Sequence, residues 1–311
     1  MENASRPAAP SRGRMIAGFV VICLIWGSTW LAIKEGLDSI PPFLAVASRF
    51  IVASVLLRLV MWQQNERPPR TTAYWRLMFE TGLLSSAIPF GLVYWAQGQI
   101  SSGMSAILFA TFPFFVAIAA RTRIPGDRLT AWSVAGILLG FGGVVAIFWS
   151  KISDVQSAPW GMAAVVLSAA LQAYALITIR LKAAHLHPAT LTFGNMVVGA
   201  IGLTIVSIFF EDPTTVRFDA RAVISVLYLS AFGTVVTFVT YYWLVKHMHP
   251  VVLALSSFIT PVIAVKLGSL ILDERLGSEV LAGSSMVLFG VLAANGPGLR
   301  RLIAGRSDPS A

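Results

Sequence analysis

The sequence predicts an all-α polytopic membrane protein, in which ten transmembrane helices form two inverted five-helix repeats. Three observations lead to this prediction: a shortage of charge, ten apolar runs of membrane-spanning length, and an internal repeat. Of the 311 residues, 56% are hydrophobic and 12% are charged, whereas about a quarter of a soluble domain is charged. This is too little charge to cover a water-facing surface, which excludes soluble globular, disordered and coiled-coil proteins.

The apolar runs give the helices in chain order. A helix needs about 20 apolar residues to cross about 30 Å of hydrocarbon. Ten runs meet this length, at about 15–33, 42–60, 77–95, 103–120, 129–149, 160–179, 190–210, 222–244, 250–272 and 279–296. Short loops and two tails take up the rest of the chain, which leaves no room for a soluble domain.

Basic residues in the predicted loops orient the helices. Sixteen Lys and Arg residues fall in the two tails and in the loops after the even-numbered helices, against five in the loops on the other side. Because cytoplasmic loops carry the excess of Lys and Arg, both termini are expected in the cytoplasm. The net charge of +9 then lies against anionic lipid. The chain has no basic helix or stripe of the kind that binds nucleic acid.

An internal repeat relates the two halves of the chain. The stretch from Tyr94-Trp95 to Pro113 returns 148 residues later, as Tyr242-Trp243 to Pro261. After a slip of one residue the match continues, with Asp127-Arg128-Leu129 against Glu274-Arg275-Leu276 and Gly143-Val144 against Gly290-Val291. The predicted organisation is an N-terminal tail over 1–14, a first repeat over 15–149, a linker over 150–159, a second repeat over 160–297 and a C-terminal tail over 298–311.

The number of helices in each repeat favours transport. A copy with five helices enters the membrane from the side opposite to its partner copy, so a pseudo-two-fold axis in the membrane plane relates them. Each half can then adopt the conformation of the other, which gives two states that open to opposite sides of a central site. The alternative is a duplicated scaffold without a transport function.

Several motifs resemble those of a known family. They are Asp273-Glu274-Arg275-Leu276 followed by Gly283 and Gly290, Trp26-Gly27-Ser28 in the first helix, and Arg49-Phe50 in the second. Over residues 15–297 the chain resembles EamA-type members of the drug/metabolite transporter superfamily, and among these most of all the YddG-type amino-acid exporters. The resemblance implies a ten-helix bundle of two inverted repeats that exports small metabolites, aromatic amino acids included. Asp127 departs from the family pattern, in which Glu is usual, and the loop is expected to tolerate the change.

Two prolines at matching depths suggest where the substrate site lies. Pro113 and Pro261 each remove a hydrogen-bond donor and clash with the carbonyl four residues earlier, on Phe109 and Ser257. Carbonyls freed inside a membrane must face protein or a water-filled cavity. Interrupted helices at corresponding positions in two repeats are typical of transporter sites. The alternative is a packing kink in which nearby hydroxyls satisfy the freed carbonyls.

Polar and aromatic side chains at four-residue spacing predict which helix faces line the site. The candidate pairs are Trp26 with Trp30, Ser168 with Gln172, and Thr237 with Tyr241. Small polar residues also hold membrane helices together, so a packing role stays open for each of them. Tyr94 is a candidate aromatic gate, and its alternative role is that of a belt residue at the membrane interface.

Two ionisable residues within the predicted helices are functional candidates, because such groups are costly in a membrane. Arg49 could contact a substrate carboxylate through two hydrogen bonds, or cap backbone carbonyls in a structural role. Glu80 lies about one turn inside the cytoplasmic end of the third helix, where it could couple transport to protons or reach the membrane surface. No predicted helix contains Asp or His. Export is therefore expected to equilibrate the substrate without a coupling ion.

Other classes of function lack their motifs. No P-loop pattern occurs, so ATP is not expected to be the direct energy source. The four histidines form two His-x-His pairs in predicted loops, which are expected to be solvated, with metal binding as the alternative, and the single cysteine excludes a structural zinc site. No cofactor is expected. A membrane-embedded enzyme would need a catalytic pair that the helices lack. The sequence predicts an exporter of amino acids or similar small metabolites in the bacterial inner membrane, with drugs or nucleobases as alternative substrates.

Overall fold

The computed structural model describes residues 11–124, 130–152, 159–217, 219–247, 253, 256–274 and 276–303, and nearly all of them are helical. The helices are α1 (Arg12–Leu37), α2 (Pro42–Gln63), α3 (Thr72–Gly82), α4 (Ile88–Gln97), α5 (Ser102–Phe109), α6 (Phe112–Arg123), α7 (Ala131–Ile152), α8 (Pro159–Lys182), α9 (Pro188–Phe210), α10 (Ala220–Ser230), α11 (Thr237–His247), α12 (Ser256–Ile271) and α13 (Ser278–Ile303). Two π-helical turns, Leu83–Ala87 and Ala231–Val236, join α3 to α4 and α10 to α11. A 3-10 turn lies at Pro213–Thr215. No strand occurs within these ranges.

Seven helical stretches of the described residues are long and apolar enough to cross a membrane: Gly13–Leu37, Pro42–Gln63, Thr72–Gln97, Ser102–Arg123, Pro159–Lys182, Pro188–Phe210 and Ala220–Val245. Three shorter apolar stretches are Ala131–Ile147, Ile259–Ile271 and Ser278–Ala293. An apolar helix therefore lies in each of the ten predicted runs, although part of the ninth run is outside the described residues. The all-helical membrane fold is confirmed. That all ten helices cross the membrane as two inverted repeats stays a prediction.

Large apolar side chains cover the outside of the helix bundle. Trp149, Trp160 and Phe210 are 75%, 77% and 78% exposed. Many other large hydrophobic residues along α2, α9 and α13 also face outward. Soluble monomers rarely expose apolar surface on this scale. The outer surface therefore suits contact with lipid.

The two halves pack through exchanged pairs of helices. α1 packs against α12, and in exchange α8, the counterpart of α1, packs against α5 and α6. In the same way α1 contacts α10 and α11, while α8 contacts α4 and the first π turn. Two further pairs, α2 with α9 and α7 with α13, bring counterpart helices directly together. A two-fold relation between the halves produces an exchange of partners of this kind.

α7 and α13 approach each other closely enough for their backbones to touch. A Cβ atom on Gly143 would lie 2.5 Å from the carbonyl oxygen of Gly283, and one on Gly290 would lie 2.6 Å from that of Gly136. Such distances leave no room for a side chain. Small residues allow membrane helices this close approach, so the glycines serve the packing of α7 against α13.

The two repeat-related prolines differ in their effect on the helix. α5 ends at Phe109 and α6 begins at Phe112 with Pro113 in its first turn, so the fourth predicted helix is interrupted. α12 instead runs through Pro261 without a break, which corrects the prediction of matching interruptions. A proline inside a helix removes one hydrogen bond, and α12 accommodates this loss at the buried Pro261 while it packs against α1. Asp127 and the side chain of Ser257 lie outside the described part of the chain.

Candidate substrate cavity

A cavity of about 460 Å³ lies among α1, α2, α4, α5, α6, α7, α8, α11 and α12. Its volume falls within the range of small-molecule sites, about 300–1,000 Å³. Most of its wall is apolar or aromatic, from Trp26, Trp30, Ile33, Phe90, Val93, Ala106, Phe109, Ala110, Phe112, Pro113, Val116, Ala117, Ala120, Leu176, Phe238, Tyr241, Val245 and Leu253. The polar lining residues are Thr29, Arg49, Ser133, Gln172, Arg180, Ser256 and Thr260. The cavity can therefore hold a small organic molecule with a largely apolar body.

Two groups of aromatic rings shape the cavity wall. The ring centroid of Trp26 lies 5.1 Å from that of Tyr241, and 6.0 Å from that of Phe238 in an edge-to-face arrangement. The ring centroid of Trp30 lies 5.5 Å from that of Phe109. Aromatic pairs at these separations attract each other beyond the effect of burial alone. One face of α1 therefore contacts α11 through Trp26 and α5 through Trp30.

Gln172 brings an amide group to the cavity wall. Its Nε2 atom donates a hydrogen bond of 3.2 Å to Ser168 Oγ, one turn earlier on α8. Ser168 is fully buried and does not line the cavity. Of this predicted pair, Gln172 therefore faces the cavity, while Ser168 orients the amide from behind.

Arg49 is the buried charge of the cavity wall and is only 2% exposed. Its Nε donates to Thr234 Oγ1 and its Nη2 to the carbonyl oxygen of Gly233, each over 2.9 Å. Its Nη1 donates to Tyr94 Oη over 3.3 Å. The guanidinium carbon lies 5.0 Å from the ring centroid of Phe90. The hydrogen-bond partners are neutral, so they fix the guanidinium against the second π turn without neutralising its charge.

Three predicted site residues lie behind the cavity wall rather than on it. Ser168 is one of them. Tyr94 is buried against Arg49, and the hydroxyl of the buried Thr237 donates to the carbonyl oxygen of Gly233. Thr237 precedes the lining residue Tyr241 by one turn of α11, but its hydroxyl is engaged by the carbonyl of Gly233, and the hydroxyl of Tyr94 accepts a hydrogen bond from Arg49. These residues support the wall instead of facing the cavity.

The structure brings seven of the predicted site residues to the cavity: Trp26, Trp30, Arg49, Phe109, Pro113, Gln172 and Tyr241. Pro261 is buried within α12 and does not line it. Glu80 lies elsewhere and forms an ion pair of 3.0 Å with Lys182, in which both side chains are partly exposed. Among the described residues, no group of three or more His, Cys, Asp or Glu could hold a metal ion.

Arg180 lines the cavity although its position in the sequence suggests a loop cation. α8 continues to Lys182 and carries Arg180 to the cavity wall. Gln172, Leu176 and Arg180 follow one another at four-residue spacing, so they share one face of α8. That spacing is the signal that identifies Arg180. Phe238 also lines the cavity, and its position three residues before Tyr241, on the same face of α11, is the signal that could have identified it.

Carboxylates close the end of the bundle opposite Arg180. Glu211 accepts hydrogen bonds of 2.7 and 2.8 Å from backbone N–H groups at the start of α2. Glu274 accepts bonds of 2.8 and 3.1 Å from backbone N–H groups at the start of α5. Negative charge is favourable at a helix N-terminus. Because each carboxylate comes from the second half and caps a helix of the first, the two halves are held together at this end.

The cavity reaches the surface at the other end of the bundle. Ala120, Arg180 and Val245 lie near the C-terminal ends of α6, α8 and α11, and all three line the cavity. Arg180 is exposed. We call this end of the cavity, at Arg180, the cavity mouth. The site is therefore open at one end of the bundle and closed by cross-links at the other.

The model of the EamA-like transporter family matches the chain twice, over residues 13–149 and over residues 159–296. The two matches together cover most of its length. The chain belongs to the EamA-like transporter family. This EamA-family protein is thus a multi-pass membrane transporter of small metabolites, and the resemblance to EamA-type members is confirmed. The narrower resemblance to YddG-type amino-acid exporters stays a prediction.

Relatives of the EamA-family protein are found in distant bacteria. It is 24% identical to the uncharacterized transporter YoaV of Bacillus subtilis over 89% of this chain and 95% of YoaV. It is 26% identical to protein PagO of Salmonella typhimurium over 87% of each chain. It is 25% identical to the uncharacterized inner membrane transporter YedA of Escherichia coli over 89% of this chain and 88% of YedA.

A solved structure shares the fold of the EamA-family protein. The two superpose with a TM-score of 0.68, over 93% of this chain and 99% of the other, at 18% sequence identity. A likeness at this identity supports the fold alone.

Proposed function

We propose that this EamA-family protein exports amino acids, aromatic ones among them, or similar small metabolites across the inner membrane of a bacterium by alternating access. The observation that carries the proposal is the cavity of about 460 Å³, open at the cavity mouth and closed at the opposite end. Its volume suits a molecule of amino-acid size. Its aromatic walls suit an apolar side chain, and its few polar groups suit one polar end.

The proposed mechanism uses two inverted repeats, over 15–149 and 160–297, with both termini in the cytoplasm. In that orientation the cavity mouth faces the cytoplasm, so the structure corresponds to the state that loads substrate for export. The exchanged helix contacts and the matching π turns support this arrangement. Inverted repeats allow each half to take the conformation of the other. That exchange would close the cavity mouth and open the end that Glu211 and Glu274 now close.

Export without a coupling ion is part of the proposal. No Asp, Glu or His lines the cavity among the described residues, and Glu80 is held by Lys182 away from it. A proton antiporter needs a titratable group that meets each side of the membrane in turn. Export down a cytoplasmic concentration gradient needs none, so the protein is expected to equilibrate its substrate.

Drugs or nucleobases are the second candidate class of substrate, because a mostly apolar cavity of this size would also accept them. A membrane-embedded enzyme is the candidate from a different class. An enzyme would need a catalytic pair in the cavity, and its described polar lining consists of hydroxyls, one amide and two guanidinium groups. That set favours binding over acid–base chemistry.

Purified protein in proteoliposomes tests the proposal. Counterflow is measured separately for a labelled amino acid, a labelled nucleobase and a fluorescent cationic dye, each against the unlabelled compound. Protein-free liposomes and a Trp30→Ala variant serve as controls, because Trp30 lies on the cavity wall. We expect amino acids to exchange and Trp30→Ala to slow the exchange without lowering the amount of protein. Exchange of nucleobases or dyes alone would support the second candidate class instead.

A further inference from the structure

We propose that the cavity selects substrates that carry a carboxylate, and that Arg180 recognises this group at the cavity mouth. The proposal rests on the transport function proposed above and narrows its substrate class. Amino acids and simple carboxylic acids with an aromatic or aliphatic body are accepted. Amines with the same body but no acid group are rejected.

The charged side chains on the described part of the cavity wall are all basic. Arg49 and Arg180 line the cavity, and no Asp or Glu does. The ion pairs within the described ranges involve other basic residues, so neither arginine is neutralised by a carboxylate there. A ligand that brings its own negative charge therefore completes the charge balance of the site.

Arg49 supplies a fixed positive charge in the interior of the cavity. Its hydrogen bonds go to two hydroxyls and a backbone carbonyl, all neutral. Attraction between opposite charges increases as the dielectric constant falls, and a buried charge without a partner is costly. A substrate carboxylate reduces that cost, whereas a substrate ammonium group without a carboxylate adds repulsion.

Arg180 differs from the basic side chains around it because it is available to a ligand. Arg123 donates to the hydroxyl of Thr178, and its guanidinium carbon lies 4.3 Å from the ring centroid of Tyr174. Lys182 is held in an ion pair. Arg180 has no hydrogen-bond or ion-pair partner within the described part of the chain, and it is exposed on the cavity wall. A planar guanidinium matches a carboxylate through two parallel hydrogen bonds.

The cavity also explains why an amino acid is accepted despite its ammonium group. Trp26, Trp30 and Tyr241 line the wall, and aromatic faces attract cations. The ammonium group of a zwitterion can therefore lie against a ring while its carboxylate binds arginine. The ammonium is tolerated and not required, which separates this site from one built for amines.

The test uses two series of ligands in which only the charged end changes. The first is phenylalanine, 3-phenylpropionate and phenethylamine, and the second is leucine, 4-methylpentanoate and 3-methylbutylamine. Their binding to purified protein in nanodiscs is measured by quenching of tryptophan fluorescence, because two tryptophans lie on the cavity wall. We expect each amine to have a Kd at least about tenfold above that of its matching acid. The acid gains a charge-assisted hydrogen bond to arginine that the amine lacks, and such a bond changes the Kd by about this factor.

Variants of Arg180 separate ligand recognition from a role at the membrane surface. Arg180→Gln should raise the Kd of the acids about tenfold and leave that of the amines unchanged, and Arg180→Lys should restore part of the loss. Arg121→Gln is the matched control, because Arg121 is an exposed cation on α6 that does not line the cavity. An equal effect of Arg121→Gln would show that Arg180 acts only through surface charge and would overturn the proposal.

Failure of this proposal is distinguishable from failure of the proposed transport function. If amines bind as tightly as acids while amino acids still exchange across proteoliposomes, the substrate class is wrong and transport stands. If no member of either series binds and no amino acid exchanges, both proposals are wrong.

Discussion

The ammonium nitrogen of Lys34, in the last turn of α1, donates a hydrogen bond of 2.6 Å to the carbonyl oxygen of Gln97 at the end of α4. A second bond of 3.3 Å goes to the carbonyl oxygen of Ile100. Lys34 thereby ties α1 to the turn between α4 and α5. Lys182 occupies the matching position of α8, 148 residues later, but pairs with Glu80 instead. Repeat-related lysines therefore hold different partners at the closed and open ends of the bundle.

We expect Lys34→Met to loosen the closed end, because two backbone carbonyls lose a charged donor. A charge-assisted hydrogen bond contributes about 1.5–3 kcal/mol, so amide hydrogen exchange over residues 98–103 should rise about tenfold or more. Hydrogen exchange followed by mass spectrometry measures this, with α7 as the internal reference. Lys34→Arg keeps the charge and should change exchange little. Unaltered exchange in Lys34→Met would show that the closed end does not depend on this bond.

Replacing Gln172 by Leu should lower export without lowering the amount of protein in the membrane. The amide lies on the cavity wall and is oriented by Ser168, so its loss removes a polar contact for the substrate while keeping the volume of the side chain. Transport in proteoliposomes is measured together with protein recovery. Gln99→Leu is the control, because Gln99 is exposed in the turn after α4. A parallel loss of transport and protein would indicate that Gln172 serves packing.

The neighbouring glycines of α7 provide a matched test of close helix packing. A Cβ on Gly143 would lie 2.5 Å from the backbone of α13, whereas one on Gly142 would meet only the end of Met286 at 3.4 Å. Overpacking costs about 1–3 kcal/mol, so Gly143→Ala should lower the melting temperature in detergent by several degrees. Gly142→Ala should leave it unchanged or raise it, since Ala favours helix. Equal melting temperatures for the two variants would contradict the backbone contact.

An imposed pH gradient should leave the final distribution of substrate unchanged. Glu80 is paired with Lys182 at a partly exposed site and does not line the cavity, so it has no path to carry protons with the substrate. Net uptake in proteoliposomes is measured with and without the gradient, for the natural chain and for Glu80→Gln. Accumulation above equilibrium that a protonophore abolishes, and that Glu80→Gln lacks, would make Glu80 the coupling residue.

Both termini should be inaccessible to an impermeant thiol reagent in intact cells. Single cysteines at Ser5 and Ser307 are introduced into a Cys23→Ser background, and each should be labelled only after the cells are broken. Thr214, exposed in the 3-10 turn after α9, is the positive control, because a cysteine there should react from outside. Labelling of either tail in intact cells would reverse the orientation and place the cavity mouth outside.

The sequence predicts the helices well because the thickness of a membrane sets their length. Ten apolar runs are sufficient to locate the helical stretches, because a segment in hydrocarbon must form all its backbone hydrogen bonds internally and therefore folds as a helix. The effect of the prolines is less predictable. Whether Pro113 or Pro261 interrupts its helix depends on the packing around it, and this differs between two positions that are equivalent in sequence.

The sequence predicts part of the cavity lining. Trp26 and Trp30 lie on the cavity-facing side of an unbroken helix, so four-residue spacing identifies them. Ser168 and Thr237 each lie four residues from a lining residue but pack behind the wall, because four residues turn a helix by about 40° beyond a full turn and spacing alone does not fix which of the two faces the cavity. Arg180 extends the face that begins at Gln172, but charge at the end of an apolar run is also typical of a loop. Its role depends on where α8 ends.

The two π turns lie 148 residues apart, in Leu83–Ala87 and Ala231–Val236. One inserted residue changes the phase of the following helix by about 100°, so α3 packs against α9 while α4 packs against α8. If the halves arose by duplication, an irregularity shared at the same point was already present in the single ancestral copy. Its helices then faced two neighbours before they were joined in one chain. In each half, the π turn lets one long apolar stretch face two neighbours in succession, which a regular helix of the same length could not do.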